Sequence, residues 1–208
     1  LVVMYGPSGI GKSFAAAYCA NRFQCYYVEC KSTWTRKAFL LAILQSMDVM
    51  PGKTLPVMTE QACEQLALSG KPLIIDEMDH IVEKKAVEII RDLYEGSQGT
   101  ILMIGEERLP AKLKAWERFH NRILDWVPAQ LADLADCKAL AAMYSPDVKF
   151  DDDLLSEIAK KSKGCVRRIC VNIEQARRVA NDAMVESLSL NDWGSRSFYT
   201  GEAPSRRL

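Results

Sequence analysis

The 208-residue sequence carries no net charge to speak of, since 27 Lys and Arg balance 27 Asp and Glu. Bulk charge therefore announces no nucleic-acid partner, although a local basic patch can still exist in a neutral chain. No apolar run approaches the ~18 residues that cross a bilayer. Nothing reads as a leader peptide either, so no membrane partner is expected. There are only two histidines, His80 and His120, and neither has a ligand-spaced companion. The seven cysteines are an odd number with no CxxC or Cys/His spacing. That excludes a sequence-legible zinc site and argues for buried free thiols in a reducing, cytoplasmic compartment. Repeats, low-complexity tracts and a base-reading module are all missing.

What is present is an alternation of strand and helix, which points to an α/β fold with a parallel sheet covered by helices. Short apolar runs at Leu1–Tyr5, Gln24–Cys30, Pro72–Ile75, Thr100–Gly105 and Arg122–Val127 supply five strands. Helices are expected over Lys12–Arg22, Ala38–Met47, near Thr59–Ser69 and near Lys85–Gly96. After Pro128 the pattern changes. Leu131–Tyr144, Asp152–Ser162 and Val166–Glu186 all read as helices with no strand between them. The expected division is an α/β domain over 1–128, a small helical domain over 129–193 and a polar, flexible tail over 194–208. The chain opens directly on a strand, and a strand that feeds a phosphate loop lies inside its sheet. Preceding residues are therefore expected to be missing.

Gly6-Pro7-Ser8-Gly9-Ile10-Gly11-Lys12-Ser13 fits GxxxxGK[ST] in full, after a strand and before a helix. Glycines let backbone N–H groups curl around phosphate oxygens, and the helix N-terminus adds a favourable dipole. Lys12 reaches for the β- and γ-phosphates, and the Ser13 hydroxyl suits Mg²⁺. About sixty residues on, Leu73-Ile74-Ile75-Asp76-Glu77 ends a buried strand in two carboxylates, at the sheet edge that also carries the loop. Asp76 is expected to hold Mg²⁺ through water, and Glu77 to polarise the attacking water. A water-activating Glu directly after the metal-binding Asp argues for ATP hydrolysis over transfer to a bound acceptor.

Together these residues resemble an AAA+ ATPase. With Ile74-Ile75-Asp76-Glu77-Met78-Asp79-His80, Leu102-Met103-Ile104-Gly105 and Gly164-Cys165-Val166-Arg167-Arg168-Ile169, nearly the whole chain resembles the B protein of Mu-type transposing phages and its transposon relatives. The resemblance implies an AAA+ P-loop fold with a five-stranded parallel sheet and a helical lid. It implies an ATP- and Mg²⁺-dependent protein that assembles on duplex DNA into a filament or ring, selects transposition targets and activates a transposase. Such a protein, phage- or transposon-encoded, works in the bacterial host cytoplasm. The resemblance also makes Arg122, in Phe119-His120-Asn121-Arg122-Ile123, an arginine finger for a neighbour's site, with Arg118 second. Arg167, in Gly164-x-x-Arg167, becomes a lid residue facing the nucleotide's phosphates. One departure stands out: the polar γ-phosphate sensor after the fourth strand is replaced by Glu106, whose carboxylate repels phosphate unless paired. His80 reads as an orienting or interface residue.

If duplex DNA is the partner, phosphate contacts need exposed Lys, Arg and small polar groups. Lys31, Thr33, Arg36 and Lys37 after the second strand are one such set, and Lys112 and Lys114 in the Arg108–Arg118 stretch another. Two other readings share the core motifs: a different AAA+ ATPase, initiator- or loader-like or secretion-associated, and an ATP-gated protein-interaction switch that never touches DNA.

Overall fold

A computed structural model describes residues 1–203, and its chain divides into two units. The first comprises Leu1–Pro7 and Lys12–Ala129. Its sheet is built from β1 (Val2–Tyr5), β2 (Tyr26–Glu29), β3 (Leu73–Asp76), β4 (Ile101–Gly105) and β5 (Asp125–Pro128). The strands pair in the order β2-β3-β4-β1-β5, and every pairing is parallel. All five strands therefore end on one edge of the sheet. Register aligns Glu29 with Asp76, and Tyr5 with both Gly105 and Pro128, along that edge.

The strands are short apolar runs because both faces are covered. Val3, Val28, Leu73, Ile75, Ile101 and Met103 join the main core. That side is closed by α2 (Arg36–Ser46), α3 (Leu55–Ser69) and α5 (Val87–Ser97), through fully buried residues such as Phe39, Leu40, Met58 and Ile90. The alternate residues Met4, Tyr27, Ile74, Leu102 and Ile104 form a second cluster with Ala16, Cys19 and Ala20 of α1 (Lys12–Phe23). Period-two alternation thus places Asp76, two residues after Ile74, on the α1 face.

Local signals set the helix ends. The Thr35 hydroxyl caps α2 by accepting from the Ala38 N–H. Pro56 opens α3, and Gly70 closes it in the left-handed conformation. The helix expected over Lys85–Gly96 is preceded by a separate short one, α4 (Asp79–Glu83). Between β4 and β5 lie α6 (Leu109–Leu113) and α7 (Glu117–His120). The fifth strand starts at Asp125 rather than Arg122, because α7 and the turn after it consume residues 117–124.

The second unit comprises Ser8–Gly11 with the chain from Gln130 onward. Its helices are α8 (Leu134–Tyr144), α9 (Asp152–Lys161), α10 (Val166–Asp182) and the short α11 (Leu190–Trp193). Asp133 and Asp136 cap α8 reciprocally. Leu154, Leu155, Ile158, Ile169, Ile173 and Ala176 are buried in its core. One expectation is corrected here. The helical region contains strands after all, since β6 (Lys149–Phe150) pairs with β7 (Ser187–Leu188) in parallel. Runs of two residues are too short for hydrophobic periodicity to register.

The described part of the tail, expected to be flexible over 194–208, makes defined contacts. Trp193 stacks on Phe198 with ring centroids 5.0 Å apart. The buried Asn172 amide donates to the Tyr199 carbonyl at 3.0 Å and accepts from the Tyr199 N–H at 2.7 Å. A polar composition hid this docking, which depends on one buried amide and one indole. Residues 204–208 lie outside the described residues. Among the described residues no helix is long and apolar enough to cross a membrane.

Candidate nucleotide-binding site

The Gly6–Ser13 loop leaves β1 at the C-terminal edge of the sheet and runs into α1, as the motif requires. Lys12 Nζ donates to the Gly6 and Pro7 carbonyls, each at 2.8 Å. Two of its three protons are held by the loop itself, which pins the ammonium beside the loop's own backbone. Ser13, on the first turn of α1, is exposed.

Asp76 sits at the last position of β3 and is 1% exposed. Its Oδ1 accepts the Glu77 N–H at 2.8 Å and its Oδ2 accepts the Tyr27 hydroxyl at 3.1 Å. Among the described residues no cluster of three or more metal-ligating side chains exists. A lone buried carboxylate fits Mg²⁺, which takes one or two protein oxygens and otherwise prefers phosphates and water. Asp76 and the Ser13 hydroxyl are the groups that would hold it.

Glu77 is half-buried and has φ 53°. A non-glycine residue seldom holds this left-handed conformation, and such strain gathers at functional sites. Burial pushes the Glu77 carboxyl above the usual carboxylate range, and the Asp76 charge adds to the rise; His80 and Lys12 pull the other way. The sequence-expected pair of carboxylates and Lys12 thus fall within electrostatic reach of one another. His80 Nδ1 is buried without a hydrogen-bond partner, and its nearest carboxylate, Glu83, stands 3.9 Å away.

Tyr27 and Asp79 carry structural roles that sequence reasoning passed over. Burial first, and then Asp76, push the Tyr27 phenol well above its ordinary value, so it donates at any working pH. Asp79, 4% exposed, accepts the Glu106 N–H at 2.7 Å and binds Lys112 Nζ at 2.7 Å. Lys112 also lies 3.3 Å from Glu83. Lys112, expected as a DNA contact, is thus paired with a buried carboxylate, which raises its pKa. The Glu106 backbone is fixed by Asp79, while its side chain is exposed. The signal for Asp79 was its place three residues past Asp76, one helical turn beyond the strand end.

The remaining basic residues after β2 are exposed. Arg36 spends one donor on the Lys85 carbonyl at 3.0 Å, whereas Lys31, Thr33, Lys37 and Lys114 stand at the surface. Arg122 is exposed in the turn after α7. Its Nε and Nη2 both reach Glu95 Oε1 of α5 at 3.1 Å. Arg91, Arg118 and Asn121 join them around an open cleft of about 360 Å³.

In the second unit, α10 starts against the tip of the phosphate loop. The Arg167 N–H donates to the Gly9 carbonyl at 2.9 Å, and Cys165 Sγ lies 3.5 Å from the same oxygen. Gly9 has φ 82°, and a Cβ there would stand 3.0 Å from Cys165 Sγ. Only glycine suits both the turn and this approach. Gly164, at φ 67°, is equally constrained, since a Cβ would meet Leu131 Cβ at 2.7 Å. The Arg167 side chain itself is exposed.

Comparisons with known proteins bear on the family and the fold. A family model described as AAA domain matches residues 1–113, more than half of the chain. The cell division protein C of Sulfolobus acidocaldarius is 24% identical over 194 residues, covering 86% of this chain and 49% of its own length. The chain thus spans about half the length of that relative. Among solved structures, the Aeropyrum pernix ORC2 protein in ADPNP–ADP complexes superposes with a TM-score of 0.70 at 16% identity, over 92% of this chain and 59% of that one. Thermotoga maritima RuvB, a Holliday junction branch migration motor, gives 0.63 at 18% identity, over 92% and 58%. At such identities the likeness to these structures is one of fold, whereas the family match extends through the phosphate loop and the Asp76–Glu77 strand end: the chain belongs to the AAA domain family.

Proposed function

We propose that this protein binds and hydrolyses ATP at the Gly6–Ser13 loop, and that it assembles head to tail on duplex DNA. The observation that carries the reading is the strand end of β3. A buried, hydrogen-bonded Asp76 is followed by a strained Glu77 with a raised pKa, within the electrostatic reach of Lys12. Backbone N–H groups of the loop and Lys12 bind the triphosphate. Mg²⁺, which Asp76 and the Ser13 hydroxyl would hold, would supply neutralisation of the phosphate charge. Glu77 accepts the proton of the attacking water at its carboxylate, and a pKa raised by burial makes that carboxylate a stronger base. Arg167, tied through its backbone to Gly9, answers the γ-phosphate.

Arg122 lies in the turn after α7, in a cleft shared with Arg91 and Arg118. Our reading is that it completes the site of a second copy, where a guanidinium neutralises developing charge. A contact of this kind is heterologous and generates rings or helical filaments. Lys31, Thr33, Arg36, Lys37 and Lys114 are the surface groups we assign to duplex phosphates. The finer role, selecting transposition targets and activating a transposase, rests on the sequence resemblance. A second reading, an initiator- or loader-like protein, is favoured by the fold likeness to Aeropyrum pernix ORC2.

The test is the ATPase rate per subunit as a function of protein concentration, with and without duplex DNA. The proposal expects a steep rise with both. A flat rate that ignores DNA contradicts assembly on DNA and favours a monomeric, protein-directed switch. Stimulation of a transposase by the ATP-bound, DNA-bound protein separates the transposition role from the initiator-like one.

A further inference from the structure

We infer that Tyr27 is a positioning residue for metal-dependent nucleotide binding, holding the Asp76 carboxylate in a fixed orientation as a group that would hold Mg²⁺. The inference rests on the nucleotide reading of Gly6–Ser13 given above. It begins from the sheet register. Tyr27 of β2 pairs with Ile74 of β3, so Asp76 is its diagonal neighbour on the same face. An aromatic side chain spans that diagonal, and the hydroxyl arrives 3.1 Å from Asp76 Oδ2. The ring is packed in the cluster that holds α1 on the sheet, so the hydroxyl is delivered by a wedged scaffold.

The Asp76 carboxylate needs this partner. It is buried, and its other oxygen is occupied by the Glu77 N–H at 2.8 Å. That single bond leaves the carboxylate plane free to turn about its terminal torsion, which is broad for Asp. Adding the Tyr27 hydroxyl fixes both oxygens and hence the plane. Each oxygen keeps a second lone pair for a metal-bound water. Without the hydroxyl, Oδ2 is a buried acceptor unmatched by protein, and the carboxylate must be reordered each time metal binds. Groups that orient metal ligands in this way typically change metal affinity by ~10–100-fold. Water-mediated contact with Mg²⁺ puts the expectation here at the lower end, about tenfold.

Tyr27→Phe removes one oxygen and leaves the ring in place. The experiment measures binding of a fluorescent, non-hydrolysable ATP analogue to the full chain, first in EDTA and then across a Mg²⁺ titration. Wild type is expected to bind the analogue more tightly as Mg²⁺ is added. Tyr27→Phe should match wild type within about twofold in EDTA and need about tenfold more Mg²⁺ for half of the gain. Leu102→Ala, which loosens packing in the same cluster, should keep the wild-type Mg²⁺ midpoint. Equal midpoints for Tyr27→Phe and wild type overturn the inference while leaving the nucleotide reading standing. So does an equal shift in Leu102→Ala, which would make the effect one of packing. A wild-type protein that binds no analogue with or without Mg²⁺ overturns the nucleotide reading, and this inference with it.

Discussion

At the end of β3, Asp76 is 1% exposed and both of its carboxylate oxygens are held by hydrogen bonds. In the turn after α7, Arg122 keeps 49% of its side chain in water and, among the described residues, leans on Glu95 alone. The two regions belong to one proposed reaction, yet they are built to opposite specifications. A buried polar group left unmatched costs ~1–3 kcal/mol, so the β3 end is held in place within a single subunit. An exposed ion pair contributes ~0.2–1 kcal/mol, so Arg122 can exchange Glu95 for another anion at small cost. The proposed chemistry is thus prepared inside the chain, whereas the residue proposed to answer a neighbour is held loosely at the rim.

The largest expected effect strikes the prepared region. Lys12→Ala removes the ammonium assigned above to the phosphates and should weaken ATP binding at least ~100-fold, read by equilibrium titration. At the rim, Arg122→Ala should bind ATP as wild type does and lose on the order of 10²–10³ of the DNA-stimulated turnover, toward the lower range of trans-acting arginines. Mixing the two variants should restore part of the rate, because the Lys12→Ala subunit still offers its Arg122 to an intact site. No recovery in the mixture would place Arg122 outside the shared site and dissolve the contrast between the two regions.

Smaller effects sharpen the comparison. Glu95→Gln weakens the hold on Arg122 while keeping its shape. It should raise the stimulated rate at low protein concentration by no more than about fivefold, the worth of one exposed pair. Lys31→Ala with Lys37→Ala should lower the slope of log affinity for duplex against log salt by ~0.9 for each phosphate that is no longer neutralised. An unchanged slope would return these lysines to an ordinary solvated surface.

The pH dependence of stability probes Glu77 directly. Its folded pKa is raised, so below the ordinary carboxylate value the group is neutral in both states and costs nothing. As pH rises through that value the unfolded chain ionises first, and the folded state loses stability until Glu77 ionises as well. Glu77→Gln is therefore expected to melt above wild type at pH 7, with the gap closing as pH falls toward 4. A gap that widens on acidification would mean that Glu77 gains from its charge in the folded state.

Much of this was legible in the residues. The loop from Gly6 to Ser13 needs a strand before it and a helix after it, and local pattern supplied both. The β3 run could be read because it is apolar without interruption and ends abruptly in Asp76-Glu77. What stayed hidden depends on contacts distant in sequence. Tyr27 looked like any β-favouring aromatic until register brought it diagonal to Asp76, 49 residues on. Lys112 looked free until Asp79, 33 residues earlier, claimed it. The short pair β6 and β7 and the docking of Tyr199 on Asn172 lie below the length at which periodicity speaks. Glu95 as the partner of Arg122 depends on how α5 and α7 pack, which no local pattern encodes.

The proposed division of labour is that Glu77 activates water while Lys12 and the loop bind the nucleotide. Its most direct test is ATP affinity and single-turnover hydrolysis measured together on Glu77→Gln. The claim predicts affinity within about twofold of wild type and a hydrolysis rate reduced on the order of 10²–10⁴, the usual contribution of a general base. Hydrolysis at the wild-type rate, with affinity intact, would contradict it.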